Sequence, residues 1–231
     1  MGLPDRLRTI IGDAFEQSVK LAVPLAERNV ARLRRVHPDL SPTGLQGVLT
    51  RSYLNTMTAS GGAAGLTAVV PNFVYQVPAA VADIGVFFQA SGIYVFSAAE
   101  ISGLHIEDHE RRRLLLYSVF LGETFAKGVN TAIPKTARYW GTAITRGIPN
   151  ETIQQMNRVL GPRFITKTGE KTGVFVIGKQ TPLLIGAGLG AVGNRFFAHG
   201  IVKATKKILP PAPENWPTPD TLIGCDSESG T

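Results

Sequence analysis

Along residues 3–36, Leu7, Ile10, Ile11, Ala14, Phe15, Val19, Ala22 and Val23 recur at three- and four-residue steps. That spacing lines one face of an amphipathic helix. Asp5 after Pro4 suits its N-cap, and Pro24 is expected to kink or divide it. Arg32, Arg34 and Arg35 suit its C-terminal end electrostatically, and His37-Pro38-Asp39 closes it. Ser41-Pro42 opens a second helix, with Leu45, Val48, Leu49, Tyr53 and Met57 on its apolar side, running to about Ser60. Gly61-Gly62 ends it.

The pattern then changes. From Ser52 to Ala99 the only charged residue in 48 positions is Asp83. A run this apolar belongs in a protein core or in a membrane. Pro71 and Pro78 divide it, predicting a glycine-rich helical segment at 62–75 and a longer helix from about Pro78 to Ser102, with Gly103 at its C-terminal end. A transmembrane helix needs about 20 apolar residues. The stretch has room for a hairpin, but its prolines and Asp83 interrupt it.

Asp108 is expected to cap a helix through RRRLLLYSVFLGETFAKG to about Gly128. Further helices are predicted over 130–146 and from Asn150, as the cap, to Leu160, with Ile153, Met156, Val159 and Leu160 on the buried face. Residues 166–180 give a mixed pattern. Thr181-Pro182 starts a last helix that reaches Leu209, where Pro210-Pro211 stops it. No run alternates as a strand would. The chain therefore reads as all-α: one helical domain over 1–209 with glycine-rich packed hairpins, followed by a Pro-rich acidic tail, 210–231, that is expected to be disordered.

Charge sharpens this picture. Residues 1–207 hold 24 basic and 13 acidic side chains, a net +11, whereas everything charged beyond Lys207 is acidic: Glu214, Asp220, Asp226 and Glu228. A basic, apolar body suits an anionic membrane surface. Nucleic acid is not expected as a partner, because helix-turn-helix, zinc-finger and RNP-type patterns are missing. The single cysteine, Cys225, allows no internal disulfide, which fits a reducing compartment. The N-terminus lacks the pattern of a secretory signal, and Arg6 stands where myristoylation prefers Ser or Thr.

Three patches taken together resemble the EcsC family of bacterial proteins, over about residues 45–207. They are GGAAGLTAVVPNFVYQVPAAVADIG, AAEISGLHIEDHERRRLLLYSVFLGE and KQTPLLIGAGLGAVGNRFFAHGIVKATKKIL. The resemblance implies an all-helical, often membrane-associated protein with no established reaction, and it supplies no catalytic residues. His105 and His109 depart from it, standing where the family tends to show acidic residues or proline.

The candidate chemistry is sparse. Gly188, Gly190 and Gly193 match a dinucleotide fingerprint in letters only, since they fall inside a helix with no preceding strand. His105 and His109, four apart and near Glu100, are weak metal candidates with no HExxH motif, so no metal or other cofactor is expected. Asp83 needs a partner if buried, with Lys127, Lys179 or Arg195 as candidates, and Glu123 is a second inward carboxylate that with Asp83 could in principle exchange protons. No nucleophile elbow or SxxK pair occurs, so no catalytic residue is assigned.

Arg111, Arg112 and Arg113 stand early in their helix, where the dipole disfavours cations; a solvated helix face is the first reading, and an anionic surface outside the protein is the second. Lys203, Lys206 and Lys207 beside Phe196, Phe197 and Ile201 suit an interfacial contact as well as a helix C-terminus. These features predict a non-enzymatic protein at the cytoplasmic face of a membrane, peripheral or partly inserted through the Gly62–Ala99 region, touching anionic lipid and, in one version, a membrane-protein partner. The rival expectation is a soluble cytoplasmic protein holding a lipid or other hydrophobic ligand in an internal pocket. An enzyme of unknown reaction comes third.

Overall fold

The computed structural model describes residues 5–59, 79–122, 139–178 and 183–216, with side chains at 8–59, 85–122, 139–145, 147–166 and 195–216. Among these residues the only regular structure is helical, as the apolar periodicity predicts. In chain order the helices are α1 (Asp5–Val36), α2 (Pro42–Ala59), α3 (Ala79–Ile101), α4 (His109–Leu121), a single turn α5 (Trp140–Thr142), α6 (Asn150–Gly178) and α7 (Leu183–Ile208). A π-helical turn, Ala143–Gly147, extends α5. No described helix is long and apolar enough to cross a membrane.

Local chemistry explains most boundaries. Asp108 accepts a hydrogen bond from the Arg111 amide at 2.9 Å, so it caps α4 as predicted. Gly103, at φ +74°, takes the left-handed conformation that ends α3, and its amide donates to the Glu100 carbonyl at 3.0 Å. Gly122, at φ +53° and ψ −123°, ends α4 in a conformation that favours glycine, earlier than the Gly128 expected from sequence.

Pro24, expected to kink or divide α1, does not end it. Helix α1 runs unbroken through Pro24, and α6 continues through Pro162 well past the expected end at Leu160, to Gly178. A proline orphans the carbonyl four residues back. Those carbonyls belong to Lys20 and Arg158, both exposed residues, and both prolines are exposed too. Water can satisfy the orphaned acceptors, so packing elsewhere on each helix overrides the local cost. Asn150 is the first residue of α6 rather than its cap, and Val159, expected inside, is 48% exposed. Ile153, Met156 and Leu160 are buried as predicted.

The packing centres on α1 laid along α3. Helices α2 and α7 lie side by side, with α2 also on α3, while α4 packs against α6 and α7. Phe15 from α1, Phe88 from α3, Tyr117 and Phe120 from α4 and Phe164 from α6 meet in one aromatic cluster at the junction. Polar stitches tie the layers: Ser18 donates to the Phe88 carbonyl at 2.8 Å, and the Tyr53 and Ser91 hydroxyls share a hydrogen bond of 2.8 Å. Burial, eased by that Ser91 bond, pushes the Tyr53 phenol far above its ordinary range, so it stays neutral.

Gly92 sets the separation of α1 and α3. A Cβ there would lie 2.7 Å from Ser18 Oγ and 3.0 Å from Ala22 Cβ. Ser18 cannot turn away without giving up Phe88. Gly92→Leu is expected to cost about 3 kcal/mol, at the upper end of overpacking effects; urea denaturation checks it, and a change below about 1 kcal/mol would mean the helices are not held this close.

The apolar stretch is partly resolved by this packing. From Phe88 to Ile101 its side chains form the core against α1 and α2: Phe88, Ser91, Tyr94, Val95, Ser97, Ala98, Ala99 and Ile101 are all buried. That segment is covered by protein in this fold. Residues 60–78 lie outside the described residues, as do the side chains of the glycine-rich run at 186–193.

The expected free tail from Pro210 also needs correction. Ala212 and Trp216 pack against the core. The Trp216 indole N–H donates to the Leu40 carbonyl at 3.0 Å, its ring lies 4.1 Å from the Arg34 guanidinium, and Thr43 Oγ1 donates to the Ala212 carbonyl at 3.4 Å. The folded body therefore extends to Trp216. Residues 217–231 lie outside the described residues.

Candidate functional site

Arg111, Arg112 and Arg113 start on α4, where the sequence suggested a solvated face first and an external anion second. The fold instead gives each an internal acceptor. Arg111 donates to the carbonyls of Ile144, Thr145 and Ile148 and to Asn150 Oδ1, at 2.7 Å for the last, gathering the C-terminal end of the π-helical turn and the start of α6. Arg112 Nε donates to the Ile106 carbonyl at 2.7 Å.

Arg113 joins two carboxylates: Nη1 donates to Glu110 Oε1 at 3.1 Å, and Nε lies 2.8 Å from Glu16 Oε1 with its N–H pointing off that oxygen. Burial opposes the Arg113 charge, but Tyr117, Glu16 and Glu110 outweigh it and raise its pKa above the ordinary arginine value. Arg111→Met should cost about 2 kcal/mol of stability, because half-buried carbonyls lose a charged donor, while leaving vesicle binding of the folded protein unchanged. Reduced vesicle binding at unchanged stability would instead assign Arg111 to the surface.

A cleft with a volume of about 200 Å³ opens between α4 and α6, lined by Glu110, Arg113, Gln154, Asn157 and Arg158. Asn157, only 3% exposed, donates through Nδ2 to the Glu110 carbonyl and to Glu110 Oε2, both at 2.8 Å. Its Oδ1 is buried with no hydrogen-bond partner among the described residues. A buried acceptor beside a polar cleft is the ordinary setting of an ordered water. The lining is charged, so this cleft is not the apolar ligand pocket of the rival expectation. With Glu16 and His109, whose Nε2 lies 3.4 Å from Glu16 Oε2, it forms a polar clasp across α1, α4 and α6.

The histidines do not meet. His105 Nδ1 pairs with Glu100 Oε2 at 2.7 Å on an exposed turn, while His109 faces Glu16. Among the described residues no three His, Cys, Asp or Glu gather in a metal-binding group. Gly188, Gly190 and Gly193 lie inside α7, as expected for packing glycines rather than a phosphate loop. Asp83 belongs to α3, but its side chain lies outside the described residues, and so do Glu123, Lys127 and Lys179 altogether. Arg195 donates to Thr58 Oγ1 at 3.0 Å.

The α2–α7 layer gathers the other predicted residues. Thr43 meets Ala212 and Thr58 meets Arg195, so the two helices run antiparallel. On α7, Arg195, Phe196, His199, Lys203, Lys206 and Lys207 are exposed, at the three- and four-residue steps of one outward stripe. On α2, Arg51 is exposed, with Gly47 and Asn55 one turn to either side. Neither helix contains an Asp or Glu. Phe196 is 75% exposed, whereas Phe197 is half-buried and packs edge-on to Phe87 at 6.4 Å. Ile201 is buried, contributing to the core rather than to the stripe.

Sequence reasoning found the lysines and Phe196 but missed Arg51, whose place beside α7 depends on tertiary pairing. The missing carboxylates were visible in the two helices all along. Glu16 and Asn157 carried no local signal, since each gains its role from a helix distant in sequence.

No protein-family model matches this chain, and neither a curated protein nor a solved structure is significantly similar to it.

Proposed function

We propose that the protein is a non-enzymatic, peripheral membrane-docking protein that binds anionic lipid through the α2–α7 face, at the cytoplasmic side of the membrane. The observation that carries this reading is the charge of that face: Arg51, Arg195, Lys203, Lys206 and Lys207 stand exposed on two neighbouring helices that hold no carboxylate. In an ordinary solvated face, acids and bases are interspersed. Here nothing on the two helices neutralises the cations, and each lysine or arginine near an anionic leaflet contributes about 1 kcal/mol. Phe196, exposed beside Arg195, supplies the apolar contact that an interfacial helix needs. The resemblance to EcsC proteins points the same way.

The mode is docking rather than spanning. The Phe88–Ile101 core against α1 supports it, because inserting that segment would dismantle the centre of the fold. The three arginines of α4 brace the fold in this reading, and the α7 lysines take over the lipid contact. Sedimentation with vesicles tests it: strong binding to vesicles containing about a third anionic lipid, little to neutral ones, and release as salt shortens the Debye length from about 10 Å at 0.1 M toward 3 Å at 1 M. Equal binding to neutral vesicles, or none to either, would overturn it.

A further inference from the structure

We propose that His199 makes docking at the α2–α7 face sensitive to pH, because its imidazolium adds a cation to the basic stripe whose counter-anion is lipid phosphate. The inference rests on the docking reading, and its test separates the two.

The histidines of the chain differ in what faces them. His105 Nδ1 lies 2.7 Å from Glu100 Oε2, and His109 Nε2 lies 3.4 Å from Glu16 Oε2. A proton taken up by either meets a carboxylate of the protein itself. His37, in the turn after α1, is followed two residues on by the exposed Asp39. His199 is placed otherwise. It is exposed on α7 with Arg195 and Lys203 one turn to either side, and neither α7 nor α2 contains an Asp or Glu.

The elements packed against α7 supply no acid to it either. Thr43 meets Ala212 and Thr58 meets Arg195, so the antiparallel register sets Arg51 and Asn55 of α2 level with residues 199–203. These add a second helix's cation and an amide. Helices α3 and α4 approach α7 from inside, where Phe197 meets Phe87 at 6.4 Å and Ala198, Ile201 and Val202 are buried. The acids of α3 are Asp83, one turn before Phe87 on that inner layer, and Glu100, engaged by His105. On α4 the charged residues from His109 to Arg113 meet Glu16, one another, Asn157, Asn150 and the carbonyls of Ile106, Ile144, Thr145 and Ile148. Among the described residues, then, a protonated His199 has cations for neighbours, and its counter-anion comes from outside.

Histidine changes charge between about pH 5 and 8. Both ring nitrogens of an imidazolium donate, and a phosphate oxygen accepts such a charge-assisted bond well. A proton that strengthens lipid binding is, reciprocally, held more tightly by the lipid-bound protein. Docking is therefore strongest at the acidic end of this range and weakens as pH rises through it. The gain is that of one cation near an anionic leaflet, about fivefold in affinity. It tunes docking and does not gate it.

The test is sedimentation of the full chain with phosphatidylglycerol-containing vesicles, whose phosphodiester keeps its charge over the whole range. Binding should be about fivefold tighter at about pH 5.5 than at about pH 8. His199→Gln should lose most of that difference. His199→Arg, cationic at every pH, should bind at about pH 8 as tightly as the unaltered chain does at about pH 5.5. Both substitutions are at an exposed position, so the comparison is between equally folded proteins. Anionic-selective binding that ignores pH, or a pH dependence that His199→Gln retains in full, would overturn this inference and leave docking in place. Binding to neither vesicle type, or equally to neutral ones, would overturn docking and this inference with it.

Discussion

Replacing Lys203, Lys206 and Lys207 together by glutamine is expected to weaken binding to anionic vesicles by about a hundredfold. Three cations at about 1 kcal/mol each amount to ~3 kcal/mol, and every 1.4 kcal/mol is a factor of ten. All three side chains are exposed, and they close α7 in its last two turns. Their other plausible role is to complement the helix dipole, which at exposed positions is worth about 0.3–1 kcal/mol each. The two roles separate cleanly. If the lysines serve only the dipole, the triple variant loses some thermal stability and binds vesicles as before. If they meet lipid phosphate, helicity survives and vesicle binding collapses. Phe196→Ala belongs to the same face and should lower binding with almost no effect on stability, since surface substitutions stay within about 0.5 kcal/mol.

Phe15→Ala is expected to destabilise the fold by about 4 kcal/mol, the middle of the range for emptying a buried aromatic site. Phe15 is 1% exposed and touches four rings. It stacks on Tyr117 at 4.5 Å and 7°, tilts against Phe164 at 4.6 Å, and meets Phe88 and Phe120 edge-on at 6.1 and 6.3 Å. Each such pair adds about 0.5–1.5 kcal/mol beyond burial. These rings come from α1, α3, α4 and α6, so the truncation opens a void where four helices meet. Domains are stable by only about 5–15 kcal/mol, and a loss of this size should be plain in the urea midpoint. A loss under about 1 kcal/mol would show that α1 does not seat Phe15 in this cluster.

Features encoded within a few residues were legible in the sequence. The Asp108 cap, the turn at Gly103 and the start of α2, where Ser41 Oγ accepts from the Gly44 amide, each depend on local hydrogen bonding or on the conformational freedom of glycine. Pro24 misled because a proline's effect depends on which way the orphaned carbonyl faces: Lys20 lies toward water, so Pro24 sits in a continuous helix, as Pro162 does behind the exposed Arg158. The arginine run of α4 misled for the opposite reason. Arg111 finds its acceptors 33 to 39 residues further along the chain, and no spacing rule shows that they will be there. Trp216 is the extreme case, held by Leu40 at a separation of 176 residues.

The docking face was half legible. The lysines and Phe196 could be read from one helix, but recognising that α2 extends the same unneutralised surface required the antiparallel pairing of Thr43 with Ala212 and Thr58 with Arg195. The polar clasp of Glu16, Glu110, Arg113 and Asn157 gave only its α4 members in advance. It joins α1, α4 and α6 beneath the aromatic cluster and accounts for acids and bases that otherwise invite a catalytic reading.

The most direct measurement is amide hydrogen exchange on the full chain, free and bound to anionic vesicles. Docking through the α2–α7 face predicts slowed exchange on binding over residues 47–55 and 195–207, with α1, α4 and the Phe88–Ile101 core of α3 unchanged. Protection centred on residues 109–113, or faster exchange across α3 as it leaves the core for lipid, would contradict the account.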